Sequence, residues 1–303
     1  MGYPDGGRGC ADGGSADLGG LGTVTKTLTI GYSPCPNDTF IFYALTHGKV
    51  RVPGVEFREQ LEDVETLNRM ALNGALDITK ISYHAIGHLR GTYALLRAGG
   101  ALGRGCGPLI VAKAGTTTAD LKKGLVAIPG KLTTAYLLLR LFDSSIENVQ
   151  TMAFSRIMDA VSEGNVTAGL IIHESRFTYP LYNLNKLLDL GEWWEHFSGL
   201  PVPLGGILGK RTIGRNMLLP IEEGIQKSLL YAQHHPGEVI EYCREHSQEM
   251  DRKVMRNHID LYVNDFSLDL GQEGLAAVRR LFSEAEARGI LPHSEMPLLA
   301  EES

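Results

Sequence analysis

The sequence predicts an α/β protein built as two lobes. The chain has 303 residues, more than a single hydrophobic core usually organises. Strand-like and helix-like segments alternate up to about Leu204, which points to mainly parallel sheets. A segment of the first half, LNGALDITKISYH (72–84), also aligns without gaps on SEGNVTAGLIIHE (162–174). Both read as a helix end, a glycine, a strand and then polar residues. The two are expected to be equivalent strands of similar lobes, with Ser82 matching Ile172 and Tyr83 matching His173. The Lys80–Tyr83 and His173–Arg176 ends should then face each other across a cleft. Open α/β sheets bind ligands at such strand ends.

The elements follow in order. Residues 1–23 are rich in Gly and Asp and contain no apolar run. They read as a disordered leader, not a secretory signal. TLTIGYS alternates apolar and polar residues and gives the first strand. In PCPNDTFIFYAL the prolines end that strand, Asn37 or Asp38 caps, and FIFYAL opens a helix. VRVPGVEFREQL is a second strand with a Pro-Gly turn. DVETLNRMALNGAL is a helix capped by Asp63 and stopped by Gly74. DITKISYHA is a strand leading into a loop or helix, and YALLRAGGAL another strand, ending in glycines.

The second half opens near residue 113. TTADLKKG is a short capped helix, LVAIPG a strand, and KLTTAYLLLRLF a turn leading into a helix. SRIMDAVSEGNVTAG is a helix and turn, and LIIHES a strand. After Leu204 the periodicity is mostly helical.

Composition narrows the function. The net charge of −6 offers no attraction to a polyanion, which argues against nucleic acid as a partner. Cys10, Cys35, Cys106 and Cys243 are dispersed and form no CxxC pair. That spacing suits neither a disulfide framework nor a zinc cage, and fits a reducing cytoplasm. No apolar run is long enough for a membrane span.

Three segments carry candidate chemistry. In SPCPND (33–38) the helix start behind Asn37 and Asp38 offers free N–H groups to an anion, or is simply a rigid capped turn. Cys35 there has no base nearby in sequence. In PGKLTTAY (129–136) Gly130 permits a tight turn, and Thr133 and Thr134 sit near a helix N-cap suited to a carboxylate, or serve as an ordinary cap, which explains one threonine better than two. In GLIIHESRFTY (169–179) His173 either belongs to a satisfied core edge or is the candidate general base, with Glu174 or Arg176 to orient it or shift its pKa. His84 and His88 are spaced i, i+4, but without HExxH or a carboxylate pair they read as surface or loop residues. Trp193 and Trp194 either wall a pocket or pack a lobe connection.

The blocks SPCPNDTFIFYAL, DVETLN, TKISY, GGALGRGCGPL, GKLTTAYLLL, AGLIIHESRFTYP, GEWWE, PVPLGGIL and YVNDFSLDLG resemble the 1,4-dihydroxy-6-naphthoate synthases of the futalosine route to menaquinone. The resemblance runs from about residue 28 to about residue 290. It implies a two-lobed fold like that of class II periplasmic binding proteins, with an interdomain cleft. Residues 24–112 and 207–303 would form the larger lobe, and residues 113–206 the smaller. It implies a lyase that turns cyclic dehypoxanthine futalosine into 1,4-dihydroxy-6-naphthoate and dihydroxyacetone. His173 matches the family base. Lys80, Ile81, Ser82, Thr133 and Thr134 match its ligand-binding blocks, and Asn37, Asp38 and Arg176 join them as substrate-binding candidates. Because aromatisation drives the reaction, no redox cofactor or metal is expected. The expected partner is a small aromatic carboxylate, and the oligomeric state is left open. The rival readings are a non-catalytic solute-binding protein, the related chorismate dehydratase, and a transcription-factor effector domain.

Overall fold

The computed structural model describes residues 1–2, 25–247 and 251–302. Apart from its first two residues, the expected leader lies outside the described residues.

The chain begins with β1 (Lys26–Tyr32), α1 (Pro36–Thr46), β2 (Val55–Leu61), α2 (Val64–Leu72), β3 (Ile78–Ser82) and α3 (Tyr83–Leu89). β4 (Tyr93–Leu95) and β5 (Ala101–Gly103) follow. The chain then crosses to a second sheet. There it forms β6 (Leu109–Ala112), β7 (Val126–Ile128), α4 (Thr134–Phe142), β8 (Val149–Thr151), α5 (Phe154–Glu163) and β9 (Ala168–Ile171). A short α6 (Ser175–Thr178), β10 (Asn185–Asp189) and α7 (Leu190–Ser198) complete that half. β11 (Val202–Lys210) returns to the first sheet. It is followed by α8 (Arg215–His234), α9 (Pro236–His246), α10 (Arg252–Tyr262), α11 (Asp265–Leu268) and α12 (Gly271–Ala287).

The first sheet has the order β2-β1-β3-β11-β4, with β5 also on β11, and the second has the order β10-β6-β9-β7-β8. β1 runs parallel to β2 and β3, and β7 runs parallel to β8 and β9. β11 is antiparallel to β3, β4 and β5, and β6 is antiparallel to β9 and β10. The sheets are therefore mixed, which corrects the expectation of mainly parallel ones. The reason lies in the crossings. β6 and β11 each enter their sheet directly from the other lobe, at the cleft end. Leu109 pairs with Ile171 and Gly205 with Ser82, the last residues of β9 and β3. A strand entering beside those ends must run the opposite way.

The internal alignment holds at the helix starts, the glycine and the strand starts. Carried back in register, it places Val64 on Phe154, the first residues of α2 and α5. It places Ile78 on Ala168, the first residues of β3 and β9. Gly74 and Gly164 both adopt positive φ, at +64° and +83°. In each lobe the glycine supplies the left-handed turn that ends the helix and starts the strand.

Sheet membership shifts the lobe crossings from the expected ones. β6 already belongs to the second sheet by Leu109, and β11 is back in the first by Val202. The two connections touch glycine on glycine. A Cβ on Gly107 would lie 2.2 Å from the Gly191 Cα. Trp194 is fully buried and donates its Nε1–H to the Pro201 carbonyl at 3.1 Å. Trp193 stacks on Phe197 beside it. The tryptophan pair thus packs a lobe connection. One apolar cluster runs from Leu67 and Tyr83 in the first lobe to Leu137 in the second, so the lobes share a core. No helix among the described residues is long and apolar enough to cross a membrane.

Gly107→Ala tests the crossing. Neither backbone can yield cheaply, so the variant should lose about 1–3 kcal/mol or more of unfolding free energy in urea. An unchanged midpoint would show that the connections separate in solution.

Candidate active site

The cleft between the lobes holds a cavity with about 730 Å³ of space free of atoms, its mouth included. Every residue singled out from the sequence as catalytic or ligand-binding lines it: Asn37, Asp38, Lys80, Ile81, Ser82, Thr133, Thr134, His173 and Arg176. Their detailed environments differ from expectation in several places.

The N-cap of α1 is Cys35, not Asn37 or Asp38. Pro36 forces extended backbone on Cys35, which has φ −65° and ψ 146°, and itself fits the first helical position. Asn37 and Asp38 therefore lie inside the first turn, and both are buried. Asp38 Oδ2 accepts from Ser33 Oγ at 2.7 Å, and Oδ1 accepts from Asn37 Nδ2 at 2.7 Å. Lys80 Nζ, at the end of β3, lies 2.6 Å from Asp38 Oδ1. Both side chains are more than nine-tenths buried. An ammonium carries three donors and Asp38 is the one partner shown for it among the described residues, so Lys80 keeps donor capacity for another acceptor.

Asp38 also fixes a tautomer some 220 residues away. A carboxylate only accepts, so Asn37 must turn its amide nitrogen to Asp38 and its carbonyl outward. That carbonyl lies 2.9 Å from Nε2 of His258, on α10. Burial pushes His258 well below the usual histidine pKa, so the ring is neutral. It therefore donates Nε2–H to Asn37 and carries its lone pair on Nδ1. The His258 Nδ1 is buried and has no hydrogen-bond partner. His258 and Tyr262 line the cavity but were not found from the sequence. The available signal was weak: Met255, His258 and Tyr262 fall on the buried face of α10.

His173 follows β9, is partly buried, and adopts φ +56°. That left-handed conformation is uncommon for a residue with a Cβ. Its ring stacks near that of His258, with centroids 6.2 Å apart and planes at 17°. Phe154 covers another side at 5.1 Å. Nδ1 is 3.4 Å from the Cys35 Sγ, so the fold gives Cys35 an imidazole neighbour that the sequence did not show. Burial lowers the His173 pKa, against the opposing pull of Glu174 and Asp38. Burial raises the Cys35 thiol pKa well above normal, with Glu174 and Asp38 adding to it. The pair is a neutral imidazole beside a neutral thiol, not a thiolate nucleophile.

Thr133 caps α4, accepting from Tyr136 N at 3.2 Å and donating to the Gly130 carbonyl. Thr134 Oγ1 donates to Leu204 O at 2.5 Å and accepts from His84 N. Both hydroxyls are thus engaged within the protein. Leu137 N bonds the Thr133 carbonyl, which leaves the first N–H groups of α4, on Thr134 and Ala135, to face a ligand. Gly130 serves a close approach, not a positive φ. A Cβ there would lie 2.3 Å from the Glu65 carboxyl, which reaches over from α2.

Asn68 holds Ser82, donating to its Oγ at 3.2 Å and accepting from its N–H at 3.0 Å. Arg176 bonds the Gly107 carbonyl and pairs with Asp189 at 2.9 Å. Asp189 in turn caps α7. The guanidinium therefore ties the two lobe connections together while flanking the cavity. His84, expected on the surface or a loop, is buried between α3 and α4, and burial pushes its pKa down to about 4.

Asp38→Ala would leave the Lys80 ammonium buried without a counter-charge. Breaking a buried pair in this way costs about 3–5 kcal/mol. Urea unfolding should show that loss, and a change below about 1 kcal/mol would mean water reaches Lys80.

Residues 28–287 match a family model described as menaquinone biosynthesis. The 1,4-dihydroxy-6-naphthoate synthase of Thermus thermophilus is 52% identical over 90% of this chain and 99% of its own length. That of Streptomyces coelicolor is 46% identical over 88% of this chain and 95% of its own. A crystal structure of a protein from Archaeoglobus fulgidus superposes with a TM-score of 0.81 at 37% identity, covering 88% of this chain and 98% of that one. The alkanesulfonate-binding protein of Xanthomonas axonopodis superposes at 0.66 with 16% identity, covering 91% and 96%, and shows the fold alone. The architecture is that of the periplasmic binding proteins, and the chain belongs to the 1,4-dihydroxy-6-naphthoate synthase family of menaquinone biosynthesis.

Proposed function

We propose that this chain is a carbon–carbon lyase that converts cyclic dehypoxanthine futalosine to 1,4-dihydroxy-6-naphthoate and dihydroxyacetone, with His173 as general base. The observation that carries the reading is the His173 ring. It is held neutral by burial, on left-handed backbone, at the wall of the cleft cavity. Its relatives bear the name of the same synthase.

Nδ1 of His173 turns to Cys35, which leaves Nε2 for the substrate. Nε2 takes the proton from the carbon beside the substrate carbonyl. The electrons left behind drive cleavage and end in the new aromatic ring, and the proton on Nε2 returns to the departing three-carbon fragment, which leaves as dihydroxyacetone and restores the base. Cys35 acts as a positioning residue, accepting from Nδ1–H and so keeping the lone pair on Nε2. Lys80 stabilises the enolate oxygen with its spare donor capacity. The N–H groups at the start of α4 hold the carboxylate. His258 Nδ1 accepts from a hydroxyl of the sugar-derived ring. Closure of the lobes excludes water from the intermediate. The free thiols Cys35, Cys106 and Cys243 accord with a cytoplasmic setting.

His173→Asn removes the base while keeping a residue that tolerates left-handed backbone. Product formation should fall about 10²- to 10⁴-fold, with substrate affinity retained by calorimetry. Near-wild-type turnover would remove His173 from the role. Tight binding by wild type with no turnover would instead favour a solute-binding protein.

A further inference from the structure

His173 also borders a second cavity, with about 630 Å³ of empty space, whose wall includes Cys35 and Glu174. The ligand-capable atoms of Cys35, His173 and Glu174 all lie within 4.8 Å of one another. The proposed reaction uses His173 and, through its Nδ1, Cys35, but gives Glu174 no task. Glu174 is 8% exposed, yet its Oε2 is buried without a hydrogen-bond partner. An orphaned carboxylate oxygen at such burial is costly and points to an absent cation or donor.

We propose that Cys35 Sγ, His173 Nδ1 and Glu174 Oε2 form a binding site for a zinc-class divalent ion, with water in the fourth position. The distances fit. Tetrahedral zinc bonded at about 2.3 Å to sulfur and about 2.0 Å to nitrogen sets those two atoms about 3.5 Å apart. The Cys35 Sγ and His173 Nδ1 are 3.4 Å apart without an ion. Bringing the carboxylate in requires a side-chain shift of about 1 Å. A thiolate, an imidazole and a carboxylate together select zinc or cobalt over magnesium or calcium. Glu62 and Asp63, on the wall of the same cavity, give a cation an acidic approach.

Binding has a chemical consequence, which rests on His173 being the base. The ion takes the Nδ1 lone pair, so the single ring proton resides on Nε2. Nε2 then donates and no longer accepts a proton. The Cys35 thiol releases its proton to water as it ligates. Zinc is therefore a reversible inhibitor acting on the tautomer of the base, not a cofactor of the reaction.

The probe is zinc itself, measured by chelator competition, with cobalt(II) as a spectroscopic substitute. One zinc per chain is expected, together with a thiolate-to-cobalt charge-transfer band and a raised Tm. Cys35→Ser should abolish the band, and both it and Glu174→Gln should weaken zinc binding at least about tenfold. The Tm of each variant without zinc reports whether it folds. Zinc bound equally well by both folded variants would place the ion elsewhere and overturn the site, as would no binding by wild type. Within wild type, zinc should suppress turnover and a chelator restore it. Zinc bound at the trio with full turnover would overturn the tautomer mechanism. A protein that binds zinc at the trio but never acts on the substrate keeps this site and loses the proposed lyase.

Discussion

The Lys80–Asp38 ion pair is the constraint on which the cavity depends. Two opposite charges lie 2.6 Å apart with almost no exposure to water. Neither tolerates burial alone, so the end of β3 and the first turn of α1 must meet. Once they do, the acceptor-only carboxylate orients Asn37, Asn37 sets the tautomer of His258, and His258 stacks near His173. A pair chosen for stability alone would be replaceable by apolar residues. This one also determines which atoms of the cavity donate and which accept, and that accounts for the desolvation it carries.

The two lobes deliver similar parts to the cleft. Each supplies a strand end from a helix–glycine–strand unit and the N-terminus of a helix. In the first lobe these are β3 and α1, and in the second β9 and α4. The repeat was legible because the left-handed glycines and the buried strands leave a local signature. Capping was legible for Asp63 and Thr133, whose oxygens reach nearby N–H groups. β6 and β11 were not. LIVA in β6 is buried throughout and shows no alternation. β11 is rich in glycine, because its neighbours press on it. A Cβ on Gly205 would meet the Ile81 carbonyl at 2.9 Å, and one on Gly209 would meet Leu218 at 2.3 Å. Those are tertiary requirements, written as an absence of side chain, and they read locally as a loop.

Within the cavity, the residue types were legible but their partnerships were not. Local motifs place His173, Lys80 and the threonines at element ends, and the fold gathers them. Which hydroxyl is free, which charge is offset and which nitrogen faces solvent depend on contacts from distant segments. The Thr134 hydroxyl goes to Leu204 and the Arg176 guanidinium to Gly107 and Asp189. His258 enters from a helix that gave no sign of chemistry. The Cys35–His173–Glu174 trio was likewise invisible, because its cysteine lies 138 positions from its histidine.

The most direct measurement is to supply the purified chain with cyclic dehypoxanthine futalosine as the sole added reactant and follow 1,4-dihydroxy-6-naphthoate by mass spectrometry. The account predicts multiple turnovers, with dihydroxyacetone released in equal amount. Substrate recovered unchanged by a folded, ligand-binding protein would contradict it.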